Sequence, residues 1–219
     1  MRISKRLEAV ASFVSNNEVV LDVGTDHGLL MIYLIKNKII ERGYASDLRE
    51  GPLKSAQQNV ELFGLNNKIQ LLLSDGLNKM SDDVTTIIIA GMGGELISKI
   101  LSNDLDKIKD KTLILQPNTQ VPNLREFIMN NNLKIIDEEI IFEDGHYYEI
   151  MKVVKGQEKL SKEEIYFGPI LLKKKSEIFI QKYESEYKKY INILTKLDDK
   201  HDTRKKKIIK HIKMIEVFL

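Results

Sequence analysis

The sequence predicts an α/β fold, in which a parallel sheet covered by helices on both faces ends in an antiparallel strand pair and is followed by a separate pair of helices. Three observations predict it. Short apolar runs rich in β-branched residues alternate with helical patterns as far as residue 131. Two longer strand-like runs then follow with little more than Gly145 between them, and the composition shifts to Lys, Glu, Tyr and Ile beyond Gly156. Strands that alternate with helices form parallel sheets, because each helix carries the chain back to the edge where the next strand begins.

Each element before residue 131 is indicated by its own pattern. The strands are continuous apolar runs, such as IQLLL and TIIIA, which are typical of strands buried on both faces. The helices show apolar residues three and four positions apart, and the one that begins near Pro52 stops at Gly64. In chain order the predicted elements are a helix at 3–14, a strand at 19–23, a helix at 29–38, a strand at 43–47, a helix at 52–63, strands at 69–75 and 85–91, a helix at 95–101, a strand at 112–117 and a helix at 122–131.

The last two strands are predicted to form a hairpin. LKIIDEEIIFED, at 133–144, and HYYEIMKVV, at 146–154, are too close in sequence for anything but an antiparallel pair. Five parallel strands closed by such a hairpin form the Rossmann-like sheet of class I S-adenosylmethionine methyltransferases, whereas NAD-binding folds usually lack the hairpin. The predicted fold class is therefore α/β, with a seven-stranded sheet of the class I methyltransferase type.

Residues 156–219 are predicted to form a coiled-coil-like helical hairpin. From Pro169 to Leu197 aromatic and aliphatic side chains recur mostly three and four positions apart, and a second such run includes Ile208, Ile212 and Ile215. The polar segment DDKHD, 198–202, predicts a short turn between two helices. We expect the aromatic side chains to be core rather than a platform for stacking bases. The chain thus divides into predicted domains at 1–155 and 156–219.

The two parts of the chain carry opposite charges. Residues 1–154 contain 17 Lys and Arg against 22 Asp and Glu, whereas residues 155–219 contain 17 against 10. A basic tail on an acidic body favours a polyanionic partner such as nucleic acid, although a basic helix is also common as a solvated surface. The candidate phosphate contacts are Lys173, Lys174, Lys175, Lys205, Lys206 and Lys207.

The composition also excludes several classes of site. The sequence contains no cysteine, so disulfides, thiolate metal sites and a cysteine nucleophile are impossible. The longest apolar run, LLMIYLI at 29–35, is far shorter than a membrane span, and the first residues lack a signal-peptide core. We expect a cytoplasmic protein, a monomer or weak dimer, with neither a membrane nor a metal as partner.

The segment VLDVGTDHGLL, at 20–30, leads from a strand into a turn that contains Gly24 and Gly28. In a parallel sheet, ligands bind beyond the carboxyl ends of the strands where the strand order reverses, and the first strand is next to that point. Glycine lets the backbone approach a ligand, and the following helix offers free N–H groups. The dinucleotide pattern G-x-G-x-x-G fails because Asp26 replaces its middle glycine. We expect the Asp26 carboxylate to be buried there, where it would repel a pyrophosphate and suit a ligand with a cationic centre.

Two further carboxylates follow the next two strands. Asp47 ends the second strand, where an acidic side chain accepts both hydroxyl groups of a ribose. Asp75 follows the third strand and can accept a hydrogen bond from an adenine amino group. Any one of these residues alone would be read as a helix cap or a loop residue. Three acidic strand ends in one crevice are costly unless a ligand donates to them, so together they favour S-adenosyl-L-methionine as the cofactor.

The fourth strand ends in IIIAGMGGE, at 87–95. Methyltransferases of exocyclic amines normally show Asn or Asp here, followed by two prolines and an aromatic residue, and that motif is missing. Gly91, Gly93 and Gly94 leave space for a large planar acceptor, or they form only a tight turn before the next helix. QPNT closes the fifth strand, and its Asn118 is a candidate for recognising a base edge or the cofactor.

Six segments carry a resemblance to a known family: DVGTDHG, ASDLREGPL, LLSDGL, IIIAGMGGELI, QPN and FGPIL, followed by the lysine-rich hairpin. In this order, over nearly the whole chain, they resemble the bacterial TrmK family of tRNA (adenine-N1)-methyltransferases, which modify adenine 22. The resemblance implies an enzyme that binds S-adenosyl-L-methionine and whose helical hairpin engages tRNA. The expected cofactor contacts are Asp22, Gly24, Asp26, His27, Gly28, Asp47, Asp75, Gly76 and Gly91, of which Gly28 and Gly91 come from their places in the two turns.

Methylation of adenine N1 requires little machinery. N1 has an in-plane lone pair and no proton to remove, so displacement at the sulfonium methyl depends on alignment and desolvation. Positive charge passes to the purine, and Asp26 is the candidate to stabilise it, with His27 orienting Asp26 or contacting the substrate. His27 could equally cap the helix or bridge to a phosphate. Asp26, His27 and Asn118 are the predicted catalytic residues, and the base must be extruded because N1 lies on its pairing edge.

Other functions remain open on the sequence alone. A methyltransferase of another RNA or of a small molecule would share the sheet and the three aspartates. A noncatalytic interaction module with a Rossmann-like core would use the sheet only as scaffold and dock its hairpin on a protein. A nicotinamide dehydrogenase is disfavoured by Asp26 and by the strand hairpin.

Overall fold

A computed structural model describes residues 1–197 and 202–219 of the chain. Up to residue 155 its main helices and strands agree with the predicted ones to within a few residues at each end. The strands are β1 (Val20–Val23), β2 (Gly43–Asp47), β3 (Ile69–Leu73), β4 (Thr86–Gly93), β5 (Thr112–Thr119), β6 (Leu133–Glu143) and β7 (His146–Lys155). The helices are α1 (Lys5–Ser12), α2 (Leu29–Lys36), α3 (Glu50–Leu62), α4 (Gly94–Ser102), α5 (Leu105–Ile108), α6 (Val121–Asn130), α7 (Lys162–Phe167), α8 (Leu171–Lys174), α9 (Glu177–Lys196) and α10 (Asp202–Glu216).

The sheet has seven strands in the order β3-β2-β1-β4-β5-β7-β6. The first five are parallel, and β7 runs antiparallel to both of its neighbours. The predicted α/β class and the closing hairpin are therefore confirmed. Asp144 and Gly145 join β6 to β7 with φ of 49° and 79°, as a two-residue hairpin turn requires. The strand order reverses between β1 and β4, which puts the ligand-binding crevice at the carboxyl ends of these two strands.

The central strands are buried on both faces, as their apolar runs predict. Ile87 and Ile89 of β4 belong to a buried cluster that includes side chains of α4 and α6. Ile88, between them, belongs to the cluster on the other face, which includes side chains of α1 and α2. Alternate side chains of one strand thus pack into two cores, one on each face of the sheet.

The helix predicted from Pro169 to Leu197 is wrong at its start. The chain forms α8 first and then breaks before α9. Lys175 has a left-handed φ of 43°, and the Ser176 side chain accepts a hydrogen bond from the backbone N–H of Phe179 at 3.3 Å. The left-handed Lys175 ends α8, and the Ser176 N-cap begins α9. The short helices α5 and α7 also have no counterpart among the predicted elements, because a one- or two-turn helix is too short to show a period.

The chain divides into two compact units, Met1–Ile170 and Leu171–Leu219. The first unit extends fifteen residues beyond the boundary predicted at 155, because α7 packs on α6. In the second unit α9 packs with α10, and the side chains of Phe179, Tyr183 and Ile215 are buried. The predicted turn at 198–202 lies outside the described residues except for Asp202. Among the residues that the structure describes, no helix is both long and apolar enough to span a membrane.

Candidate active site

A cavity of about 360 Å³ lies at the carboxyl ends of β1 and β4, at the reversal of strand order. This volume falls in the range of small-molecule sites. The lining residues come from α1, from β1 and the turn after it, from the start of α2 and from the end of β4. They are Arg6, Leu7, Asp22, Gly24, Thr25, Asp26, His27, Gly28, Leu29, Leu30, Ala90 and Gly91.

The turn after β1 is held by backbone hydrogen bonds to the neighbouring strand. The N–H groups of Gly24 and Thr25 both donate to the carbonyl oxygen of Ser46, each at 2.8 Å. Gly24 has φ of +78°, and a Cβ at this position would lie 2.1 Å from Cε of Met92. Gly28 has φ of +68°, and its added Cβ would come within 3.3 Å of Ala56 on α3. The positive φ favours glycine at both positions, and the space for a side chain is also tight at Gly28.

The buried carboxylate of this site is Asp22, in β1. Burial raises the pKa of Asp22 to about 6, the nearby Asp47 carboxylate adds to the rise, and the Thr25 side chain and the Arg6 guanidinium oppose it. The expectation of a buried Asp26 was wrong, because its side chain is 74% exposed at the cavity mouth. The carboxylate that occupies the floor of the crevice is therefore four residues earlier than predicted.

Asp26 and His27 form a pair at the mouth of the cavity. His27 Nε2 lies 3.2 Å from Asp26 Oδ2, so the imidazole contacts the carboxylate. The backbone carbonyl of His27 accepts a hydrogen bond from the Asn59 side chain of α3 at 2.9 Å. The turn is thereby tied to a second helix, and both polar side chains remain open to a ligand from solution.

Three other predicted contacts lie outside the lining of the cavity. Asp47 is the last residue of β2, and Asp75 and Gly76 follow β3. Asp47 is buried, and its Oδ1 accepts a hydrogen bond from the backbone N–H of Arg49 at 2.8 Å. Asp75 is exposed, and Gly76 has φ of +53°. The structure thus brings Asp22, Asp26 and His27 together in one cavity and leaves Asp47 and Asp75 beside it along the same edge of the sheet.

A hydrogen-bond network holds the turn after β4. Gln116 is completely buried, and its Oε1 accepts from the backbone N–H of Gly91 at 3.1 Å and from the Arg6 guanidinium at 2.7 Å. Its Nε2 donates to Asn118 Oδ1 at 3.0 Å, and Asn118 Nδ2 donates to the carbonyl of Gly91 at 2.8 Å. Asn118 thus fixes the backbone of Gly91 through both ends of its amide.

Sequence reasoning missed Gln116 and Arg6. Gln116 carries a signal, since it is a lone polar residue in an otherwise apolar strand. Arg6 carries none, because its place depends on where α1 docks. That docking comes from Glu143 at the end of β6, which accepts hydrogen bonds from the backbone N–H groups of Lys5 and Arg6 at 2.6 and 3.0 Å. The guanidinium carbon of Arg6 lies 5.7 Å from the ring centre of Tyr148 on β7.

The six candidate lysines lie in the second unit, on more than one helix. Lys173 and Lys174 are in α8, Lys175 follows it, and residues 205–207 are in α10. Lys175 Nζ lies 3.4 Å from the carbonyl of Phe218 and 5.7 Å from its ring centre, which brings the two ends of this unit together. Within the described part of the chain, no group of three or more His, Cys, Asp or Glu residues is arranged to hold a metal ion.

Comparisons with known proteins agree over the full length of the chain. The family model described as "TrmK: tRNA (adenine(22)-N(1))-methyltransferase" matches residues 20–217. The tRNA (adenine(22)-N(1))-methyltransferase of Bacillus subtilis (strain 168) is 34% identical over 215 residues, 94% of this chain and 90% of that protein. A Streptococcus pneumoniae protein solved in complex with S-adenosyl-L-methionine is 41% identical, with a TM-score of 0.92 and 100% of both chains covered. TrmK of M. capricolum, solved with S-adenosyl-homocysteine, is 34% identical, with a TM-score of 0.88 over 100% of this chain and 98% of the other.

Proposed function

The chain belongs to the TrmK family of tRNA (adenine(22)-N(1))-methyltransferases, and from this premise we propose which residues hold the methyl donor, position the adenine and engage the tRNA. The protein is an enzyme that transfers a methyl group from S-adenosyl-L-methionine to N1 of adenine 22 in tRNA. The single observation that carries the assignment of the donor site is the buried Asp22 carboxylate on the floor of a cavity at the strand reversal.

The residues of the cavity fit a cationic methyl donor. The positive φ of Gly24 and its lack of a side chain let the ligand approach the backbone of this turn closely. Burial makes the ionised form of Asp22 costly, and a cation in the cavity relieves that cost. When bound, S-adenosyl-L-methionine supplies an electrophilic methyl group on a sulfonium. The proposed contacts are those expected from the sequence: Asp22, Gly24, Asp26, His27, Gly28, Asp47, Asp75, Gly76 and Gly91.

Two of these contacts have assigned tasks outside the cavity. Asp47 ends β2 with its carboxylate partly engaged by the backbone of Arg49, and we assign its remaining acceptor capacity to the ribose hydroxyl groups. Asp75 follows β3, one strand farther from the cavity, and we assign it to the adenine amino group of the donor. Both positions agree with a ligand that lies along the carboxyl edge of the sheet from β1 toward β3.

The turn after β4 is proposed to receive the acceptor adenine. Its Gly91 lines the cavity, and both polar groups of its backbone are fixed by Gln116 and Asn118. Because N1 needs no base to deprotonate it, a rigid surface that aligns the purine with the methyl group supplies much of the required catalysis. Asn118 acts through Gly91 and is therefore a positioning residue. Arg6 donates to the same Gln116 Oε1 that accepts from the N–H of Gly91.

Asp26 is proposed to stabilise the positive charge that moves onto the purine. It stands at the open mouth of the cavity, where the acceptor enters, and the contact with His27 limits its orientations. Asp22 at the floor faces the donor instead. Asp22 thus stabilises the positive charge on the donor before methyl transfer, and Asp26 stabilises it on the purine afterwards.

The second unit, Leu171–Leu219, is proposed to bind the tRNA backbone through Lys173, Lys174, Lys175, Lys205, Lys206 and Lys207. Their concentration in a unit with a net positive charge supports contact with phosphates, which also provides free energy toward extruding the base. A tRNA substrate supports the cytoplasmic location that we propose. We also propose a monomeric or weakly dimeric state.

Mass mapping of nucleosides after incubation with unmodified tRNA and labelled donor tests the reaction, and methyl on any atom other than N1 of adenine 22 would contradict it. Asp26→Asn tests the charge assignment. We expect kcat at saturating donor to fall about 10- to 100-fold. The matched control is Asp106→Asn, at a 91% exposed carboxylate on α5. Equal rates in the two variants would remove Asp26 from the mechanism.

The lysine assignment is tested in the full chain by Lys173→Gln/Lys174→Gln/Lys175→Gln. The salt dependence of tRNA binding should weaken by about 0.9 in slope for each phosphate that the variant no longer neutralises. The matched control neutralises three exposed lysines of the first unit, Lys38, Lys134 and Lys159. If both triple variants bind tRNA alike, the second unit has no special role in binding.

A further inference from the structure

Arg125 of α6 is the largest fully buried side chain in the described part of the chain, and each of its five N–H groups has an acceptor. Nε and Nη2 donate to Glu138 Oε1 at 3.0 and 2.7 Å, and Nη2 also donates to Glu149 Oε2. Nη1 donates to the backbone carbonyls of Ile165 and Tyr166, each at 3.3 Å. A guanidinium whose donors are all used by buried partners has one permitted position, so it holds its partners in place.

Arg125, Glu138 and Glu149 form a buried triad. Glu138 lies on β6 and Glu149 on β7, and the two carbonyl groups that Arg125 contacts lie in the last turn of α7. Beyond α7 the contact continues, because the backbone N–H of Ile170 donates to Glu138 Oε2 at 2.9 Å. Gly168 lies between these contacts with φ of +94°, and an added Cβ would be 2.6 Å from Nη2 of Arg125 and 2.7 Å from Glu138 Oε2. The segment FGPI, 167–170, is therefore fixed on both sides of its glycine, and no larger residue fits there.

Stability alone does not account for this arrangement. Two carboxylates and one guanidinium carry a formal charge of −1 at full ionisation, and burial raises the pKa of Glu138. Buried ionic groups are often no more stabilising than apolar side chains of the same volume, since desolvation offsets their attraction. What the triad supplies beyond packing is direction, because charged hydrogen bonds to three backbone groups of residues 165–170 specify one path for the chain.

That path leads out of the first compact unit, which ends at Ile170. We propose that the triad Arg125–Glu138–Glu149 is an anchor that fixes the path of residues 165–170 where the chain leaves the methyltransferase domain, and that delivery of tRNA held by residues 171–219 to the active site depends on this path. The inference rests on the proposed role of the second unit in binding tRNA. Arg125, Glu138 and Glu149 are thus positioning residues for the methyl transfer.

The consequence of releasing the anchor follows from chain statistics. Without it, α7 keeps its packing on α6 and Phe167 stays buried, but residues 168–170 lose the charged contacts that fix their path. A flexible chain of three residues has a root-mean-square span of roughly 10 Å. The second unit would still hold tRNA, but the adenine would reach the cavity in the productive orientation only a fraction of the time. Methyl transfer should slow while both binding steps survive.

The test uses Gly168→Ala in the full chain, with Gly64→Ala as the control. Gly64 also has a positive φ, +66°, but nothing lies within 4 Å of its added Cβ, so it reports backbone strain without displacing the triad. In Gly168→Ala we expect the single-turnover rate at saturating tRNA to fall about tenfold or more. The dissociation constants of S-adenosyl-L-methionine and of tRNA should stay within about twofold of the control.

A second measurement keeps the inference testable if Gly168→Ala folds poorly. Glu149→Gln leaves Glu138 and its bond to Ile170 in place but removes one charge from the triad. Hydrogen exchange at residues 165–170 should accelerate in this variant while exchange in β4 and α4 does not, and the single-turnover rate should fall with it. Faster exchange at 165–170 without any loss of rate would overturn the anchor, as would equal loosening of the whole domain.

Failure of the anchor is distinguishable from failure of the tRNA assignment. If the lysine variant of residues 173–175 binds tRNA as its control does, the assignment of the second unit is wrong and the anchor has no tRNA to position. If that variant loses tRNA affinity while Gly168→Ala keeps the full single-turnover rate, the second unit binds tRNA and only the anchor is refuted.

Discussion

The raised pKa of Asp22 makes the affinity for the methyl donor depend on pH. In the free protein this carboxyl group is protonated below about pH 6, and a cation in the cavity requires it ionised. Binding therefore releases a proton at low pH, so the affinity is complete above pH 6 and is lost as the pH falls through 6. Between pH 7 and pH 5 the ionised fraction of the free protein falls from about 0.9 to about 0.1, and the dissociation constant should rise about tenfold.

Isothermal titration with S-adenosyl-L-methionine at pH 5, 6 and 7 measures this rise. Repeating it in two buffers of different ionisation enthalpy counts the protons, and about one should be released at pH 5. Asp22→Asn should bind more weakly at pH 7 but lose the pH dependence. His27→Gln, which removes the cavity's imidazole, should keep the pH dependence. The reasoning is refuted if Asp22→Asn retains the tenfold change or the wild type lacks it.

Three further outcomes follow from the same contacts. Asp22→Asn should stabilise the ligand-free protein at pH 7 by about 1 to 3 kcal/mol, because the raised pKa of the Asp22 carboxyl group makes its ionised form costly in the folded protein. Urea unfolding should show that this gain disappears toward pH 4. Gln116→Leu leaves a guanidinium N–H and a backbone N–H without their buried acceptor, so kcat at saturating donor should fall about tenfold or more, and an unchanged kcat would contradict this. Gly94→Ala puts a Cβ 2.4 Å from the backbone oxygen of Gln120 and should lower the free energy of unfolding by about 1 to 3 kcal/mol in urea, whereas Gly51→Ala, with nothing within 4 Å, should not.

The sequence predicted the sheet because each strand makes the same demand on its residues. Strands buried on both faces need apolar side chains at every position, and this leaves runs such as TIIIA that are readable without neighbours. The strand hairpin was predicted for an equally local reason, since Asp144 and Gly145 adopt the left-handed turn that their types favour. The break between α8 and α9 was missed because Lys175 gives no local sign of its left-handed φ.

The candidate site was predicted only where its residues follow one another in the chain. Gly24, Asp26, His27 and Gly28 share one turn, and all four line the cavity. Burial was predicted for Asp26 and not for Asp22 because Asp26 lies between the two glycines of the turn. The better signal was a carboxylate inside VLDV, where every residue of the strand is buried.

The remaining functional residues depend on tertiary contacts between distant segments. Arg6 and Gln116 are 110 residues apart, and the Arg125 triad joins a helix to two strands and a third segment. No spacing rule links residues across such distances, since the partners are chosen by how the elements dock. The local sequence signals of these contacts are Gln116, a polar residue in the apolar run of β5, and Gly168 in the segment FGPI.

The cap that Glu143 places on α1 couples the cavity to the order in which the chain is synthesised. The wall bearing Arg6 is made first, yet it is secured by a residue 137 positions later. That residue lies on β6, which borders the sheet only through β7, the last strand to be translated. A nascent chain that already contains the whole glycine turn therefore still lacks a settled pocket. Methyl-donor binding by ribosome-bound intermediates should begin only when residues up to about Lys155 have emerged, because contacts between such distant positions form late in folding.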